Sequence, residues 1–136
     1  MVEDKLLNQI AYDFSEIIKN KNILGIILYG SYIEERNTNR SDIDICVIAP
    51  NEDTGELFSY LLQNINVNAK KYDVRLFNEL PLYIKIQVIQ KGVLIYSSNK
   101  LDLYEYFYIY RKLWNDQKHR QEISKEELLQ IGRISE

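Results

Sequence analysis

"ILYGSYIEERNTNRSDIDICVIAP", residues 27–50, is the stretch on which the reading of this chain turns. An apolar run ends at Gly30-Ser31. A polar segment follows, and a second apolar run, Ile43 to Ile48, begins with Asp42 and Asp44 at its mouth. A carboxylate taken out of water without a partner is costly or becomes protonated, so two of them at the end of a buried strand need something to hold. Side chains two apart on a strand share one side, with Cα atoms roughly 6.5 Å apart, and both carboxylates therefore converge on one cleft. A third acid, Asp73 in "YDVRLF", joins them if its strand lies beside the first pair.

Three like charges in one place repel, and a divalent cation relieves the repulsion. Hard oxygen donors suit Mg²⁺, which completes its shell with water and substrate phosphates. Gly30 lets the backbone turn tightly and approach a phosphate, while the Ser31 hydroxyl and the amides that follow can donate to phosphate oxygens. The outline is that of a nucleotidyl-transfer site. Two metal ions about 3.5–4 Å apart would serve in-line attack on an α-phosphate, with Asp73 taking a proton or sharing a metal. Neither half of the pattern is specific alone, because acids cap helices and Gly-Ser is common in turns. Their order, with strand context on both sides, is what makes the combination informative.

Working outward, "ILGIILY" (Ile23 to Tyr29) is short, β-branched and continuous, as expected of a strand covered on both faces. Before it, Leu6, Leu7, Ile10, Ala11, Phe14, Ile17 and Ile18 recur at three- and four-residue intervals and predict one helix over Glu3 to Lys19. After it, Asp42 to Ile48 reads as a strand stopped by Pro50. "TGELFSYLLQNI" has helical spacing, and "KYDVRLFNEL" alternates with period two from Tyr72 to Phe77. A helix around Leu82 to Ile89 leads to Gly92 and a short strand, "VLIYSS". Strands separated by helices predict an α/β (α+β) sandwich with a largely covered sheet. The last third is read as helical, Leu101 to about Gln121 and then Lys125 to Ile131. One domain is expected over 1–136, with a core to about 97 and a helical C-terminal extension from about 100.

Tyrosines concentrate in that extension. Tyr104 and Tyr108 share one helical face and Tyr106 and Tyr110 nearly the opposite one, so both faces cannot be buried against the same core. Their rings either sit at the surface with hydroxyls in water, or form a protein-binding face in which Tyr106, Tyr110 and Trp114 are anchors.

The chain has 136 residues, 46% hydrophobic and 27% charged, a balance at which a soluble domain folds without disulfides. A formal net charge of -3 offers no general basic field, so no direct nucleic-acid binding is expected. The single cysteine, Cys46, lies in an apolar run and reads as a core residue. The acidic N-terminus lacks a signal peptide's basic region and no apolar stretch is long enough for a membrane span, so the expected location is the cytoplasm. His119, in "NDQKHRQE", reads as a solvated side chain.

"GSYIEERNTNRSDIDICVI", with Gly-Ser, ten residues and Asp-x-Asp, resembles the signature of the polymerase-β-type nucleotidyltransferase superfamily and, by its size, the minimal (MNT) members. The similarity runs from about Ile23 to Tyr96, and it implies a nucleotidyltransferase-type mixed sheet flanked by helices. It implies that Gly30 and Ser31 bind the triphosphate, that Asp42 and Asp44 hold Mg²⁺, and that Asp73 is the third carboxylate. Many members carry Ala-Arg-Gly soon after the serine, whereas this chain has Ile33-Glu34-Glu35-Arg36. Arg36 is therefore read as a surface arginine, and Arg40 either reaches the nucleotide or lies at the surface. Small MNT proteins resemble the antitoxin half of HEPN/MNT toxin–antitoxin pairs. That resemblance implies a hetero-oligomer with a HEPN ribonuclease toxin, and transfer of AMP from ATP to a tyrosine of the toxin. Transfer to a small hydroxyl compound, or neutralisation by contact alone, are the alternatives.

Overall fold

A computed structural model describes residues 4–30 and 42–134, the last of these from 121 onward as helix backbone alone. In order, the elements are α1 (Asp4–Asp13), α2 (Ser15–Asn20), β1 (Gly25–Tyr29), β2 (Ile43–Ile48), α3 (Thr54–Asn64), α4 (Val67–Lys70), β3 (Tyr72–Leu76), α5 (Leu82–Lys91), β4 (Val93–Ser97) and α6 (Lys100–Ile134). A 3-10 turn, Phe77–Glu79, joins β3 to α5. Among the described residues the four strands form one mixed sheet, ordered β3-β2-β1-β4, in which β1 is antiparallel to both neighbours and β2 is parallel to β3. The mixed sheet flanked by helices agrees with the sequence reading.

β1 is central and buried at all five positions, which explains its unbroken apolar run. Its pleat divides the core. Ile26 and Leu28 join Ile45 and Val47 of β2 on one side, where Ile10, Phe14 and Ile17 of the N-terminal helices and Leu57 and Leu61 of α3 cover them. Ile27 and Tyr29 join Cys46 and Ile48 on the other, under Phe77, Val88 of α5, and Leu103 and Phe107 of α6. Cys46 is fully buried, and burial pushes its thiol pKa up, in keeping with a core role. β3 is an edge strand, and its period-two pattern puts Tyr72, Val74 and Leu76 inward, leaving Asp73 and Arg75 on the opposite side. The Tyr72 hydroxyl donates to Asp13 Oδ2 at 2.5 Å and ties β3 to the end of α1.

Local chemistry sets several boundaries. The Asp53 side chain caps α3 by accepting from the Glu56 amide at 2.9 Å, and Asn66 does the same for α4 toward Ala69 at 3.2 Å. The predicted first helix is divided at Phe14, where the Ser15 hydroxyl donates to the Tyr12 carbonyl at 2.7 Å and competes for a backbone acceptor. The predicted two-part C-terminal helix is one helix of 35 residues, capped by the Asn99 side chain at the Asp102 amide. At 1.5 Å per residue it is about 50 Å long. Leu103 and Phe107 are buried on it, Trp114 is half-buried, and residues 115–120 are exposed, so its middle leaves the body of the protein. No helix among the described residues is long and apolar enough to cross a membrane.

Candidate functional site

The strand registers bring the site together. Tyr29 of β1 lies opposite Asp44 of β2, and Asp44 lies opposite Asp73 of β3. The three form one rung across three strands, and paired positions on adjacent strands point to the same face. By the pleat this is the side of Ile27, Cys46 and Ile48, the face covered further along by α5 and α6. Asp42, exposed and two residues before Asp44, adds its charge to the rung. The chain thus draws together the three predicted carboxylates.

Asp44 carries the largest electrostatic consequence. Burial, followed by the charge and hydrogen bonding of Asp73 and then the charge of Asp42, pushes its carboxyl up to about 6. The guanidinium of Arg75 opposes that rise. Arg75 Nε donates to Asp73 Oδ1 at 3.0 Å. Tyr29, buried against this cluster, has its hydroxyl pKa raised by burial and then by the nearby acidic groups. Among the described residues no three metal-ligating side chains close up into a ready-made cage, and Asp73 is engaged by Arg75. An all-oxygen donor set, partly desolvated and electrostatically crowded, nevertheless fits a hard divalent cation whose shell is completed by water and phosphate.

Gly30 sits at the end of β1 with φ +81°, a left-handed conformation that favours glycine. A Cβ there would also collide with the Asp44 carboxylate. The residue was expected to let the backbone approach a phosphate; its packing supplies a further requirement, room for Asp44. Ser31, Arg36 and Arg40 lie outside the described residues.

Two members of the site were missed in the sequence. Tyr29 was read only as the end of a buried strand. Arg75 went unremarked, although period two places it on the same side as Asp73 and its charge breaks an otherwise ordinary edge strand. Lys85 of α5 is a further cation on this face, with Nζ 5.5 Å from the Phe77 ring centroid and 4.8 Å from that of Tyr110.

The anchors expected on the C-terminal helix divide differently. Tyr106 and Tyr110 turn inward onto Phe77, with ring centroids 5.7 and 5.1 Å away. The Tyr106 hydroxyl donates to Asn78 Oδ1 at 2.8 Å and lies 3.1 Å from the Tyr110 hydroxyl. Both are engaged within the chain. Tyr104 and Tyr108, 56% and 62% exposed, point outward beside Leu101. Trp114 is half-buried, with Lys118 Nζ 5.5 Å from its ring centroid.

With this geometry in place, the family model described as polymerase beta, nucleotidyltransferase matches residues 13–101. The chain belongs to the polymerase-β-type nucleotidyltransferase family. The match begins at the end of α1 and stops at the start of α6, so it contains the whole sheet and all three carboxylates of this nucleotidyltransferase. A relative from Methanocaldococcus jannaschii, named as a protein adenylyltransferase, is 41% identical over 98 residues, 72% of this chain and 75% of its own length. Among solved structures, a toxin–antitoxin complex with AMP-PNP aligns with TM-score 0.62 and 23% identity, covering 90% of this chain and 98% of the other. A complex of tri-AMPylated Shewanella oneidensis HEPN toxin with MNT antitoxin aligns with TM-score 0.55 and 21% identity, covering 86% and 97%. At these identities the likeness to the complexes is one of fold.

Proposed function

We propose that this nucleotidyltransferase is an antitoxin that moves AMP from ATP onto a tyrosine of a cognate HEPN-family ribonuclease toxin, in a cytoplasmic hetero-oligomer. The observation that carries the reading is the rung of Asp44 and Asp73, flanked by Asp42 and by Gly30, in a chain closely related to one named for protein adenylylation. The likeness to toxin–antitoxin complexes, one with an AMPylated toxin, supports the choice of acceptor.

In the reaction the acceptor's phenolic oxygen attacks the α-phosphorus of ATP. A new P–O bond forms to tyrosine, the bond to the β-phosphate bridge breaks, and pyrophosphate leaves. Asp42, Asp44 and Asp73 would hold Mg²⁺, two ions in the usual arrangement, and the metal would supply positive charge to the phosphates and to the attacking oxygen. Gly30 and Ser31 would receive the triphosphate at the end of β1. At neutral pH Asp44, with its pKa near 6, is mostly the carboxylate and competent to ligate. Asp73, on the edge strand β3, would share the metal or accept the phenolic proton. We assign the whole chain to one functional unit, in which the outward face of α6, with Leu101, Tyr104, Tyr108 and the part-exposed Trp114, meets the toxin while Tyr106 and Tyr110 support it from beneath.

The test is incubation of the purified chain with α-labelled ATP, Mg²⁺ and lysate of its host, followed by separation of protein, RNA and small molecules. Label is expected on one small protein and should disappear with Asp42→Asn plus Asp44→Asn, a variant whose circular dichroism stays native. The loss should exceed about a thousandfold, since the metal contributes several kcal/mol to the transition state. Label on a small molecule, or undiminished label with the double variant, would defeat the assignment.

A further inference from the structure

Arg75 stands out because it brings a positive charge onto a rung of carboxylates. Its Nε donates to Asp73 Oδ1 at 3.0 Å, and its charge is felt by Asp44 and by Tyr29 across the same rung. In β3 it lies two residues past Asp73, on the same side, and opposite Cys46, which is uncharged and buried. The contact uses Nε, which leaves the two terminal nitrogens to donate elsewhere. Arg75 and Asp73 side chains are 60% and 36% exposed. An ion pair so open to water holds weakly and is easily exchanged.

We propose that Arg75 is a built-in counter-ion: it neutralises the Asp73–Asp44 pair before metal arrives, is displaced when a divalent cation takes those carboxylates, and then donates to a phosphate of the bound nucleotide. This rests on the metal-site reading given above. The physical basis is charge conservation within the cleft. Asp44 and Asp73 face each other in register, so a positive group there lowers their repulsion in either state. A guanidinium and a dication cannot both sit on Asp73 without repelling. Once released, the arginine is one strand step from the cleft, with a planar set of donors suited to phosphate oxygens.

The two halves of the proposal move two affinities in opposite directions, and this separates it from a merely structural role. Mn²⁺ binding is measured by electron paramagnetic resonance for the wild type, Arg75→Gln and Arg75→Lys, first with Mn²⁺ alone and then with AMP-PNP titrated at saturating Mn²⁺. Arg75→Gln is expected to bind Mn²⁺ about two- to fivefold more tightly, the value of one exposed ion pair. It should bind AMP-PNP about tenfold more weakly, the value of a charge-assisted hydrogen bond. Arg75→Lys, with the charge but a single donor group, should lie between. Unchanged or weaker Mn²⁺ binding by Arg75→Gln, or unchanged AMP-PNP affinity, would overturn the proposal. Should the wild type itself take up no Mn²⁺ even with AMP-PNP, the metal-site reading falls and this inference with it, a result distinct from failure of the arginine alone.

Discussion

The two faces of the sheet are made by the same strands and do different things. On the side of α1, α2 and α3 the inward residues of β1, β2 and β3 are Ile26, Leu28, Ile45, Val47, Tyr72, Val74 and Leu76, with Phe14, Leu57 and Leu61 packed on them. Apart from the Tyr72 hydroxyl, which finds Asp13, that face is apolar. On the side of α5 and α6 the alternate residues begin as Tyr29, Asp44 and Asp73 and become apolar only further along, at Ile27, Cys46 and Ile48. A period-two strand can therefore give one face to stability and reserve the end of the other for chemistry.

The sharpest way to test this division is to damage the apolar face and ask whether the site notices. Phe14→Ala removes a fully buried ring and should cost about 3–5 kcal/mol in urea unfolding. Transfer per folded molecule should be retained at low temperature; a specific loss of activity would mean that the faces are not separable.

The C-terminal helix offers the next contrast. Tyr106→Ala with Tyr110→Ala empties the aromatic packing on Phe77 and should cost about 2–4 kcal/mol. Tyr104→Ala with Tyr108→Ala changes exposed positions and should leave stability within about 0.5 kcal/mol. The second pair, not the first, should lower toxin capture at matched folded concentration. The reverse pattern would return the partner surface to the inward tyrosines.

Gly30→Ala probes the junction between backbone and carboxylate. A positive φ at a residue with a Cβ costs about 1–2 kcal/mol, and the new methyl must also move the Asp44 carboxylate. Thermal melts should show a modest loss while transfer falls far more, because the displaced group is a proposed metal ligand. Proportionate losses would make Gly30 a structural residue only.

The last effect is the pH dependence from Asp44, discounted by its partial exposure to solvent. Its folded pKa, about 6, is raised above the ordinary 3.8, so the folded chain binds this proton more tightly than the unfolded chain. Its contribution is fully present below about pH 3.8 and is lost as pH rises through about 6. Asp44→Asn, a neutral mimic of the protonated acid, should match the wild type near pH 4 and exceed it increasingly toward pH 7 when melts are run without metal. A difference that does not grow with pH would remove the charge crowding on which the site reading depends.

Much of this was legible without coordinates. The unbroken run Ile23–Tyr29 announced a strand covered on both faces and the alternation at Tyr72–Phe77 a further strand, because each signal is set by spacing along a few residues, and Asp-x-Asp pointed to the strand end where Asp44 meets Asp73. The break at Phe14 and the continuity of α6 across residues 122–124 were not legible, since one hydroxyl choosing a carbonyl, or a helix continuing through a serine, shifts the balance by about 1 kcal/mol. What the amino-acid order determined by itself is that Asp42 and Asp44 share a side and that tyrosines four apart share a helical face. The tertiary structure alone decided that β3 lies parallel to β2 with Asp73 opposite Asp44, that Arg75 takes up the surplus charge, and that the inward face of α6 carries Tyr106 and Tyr110. Local periodicity follows from backbone geometry, whereas pairing and facing are chosen by which distant apolar surfaces leave water together.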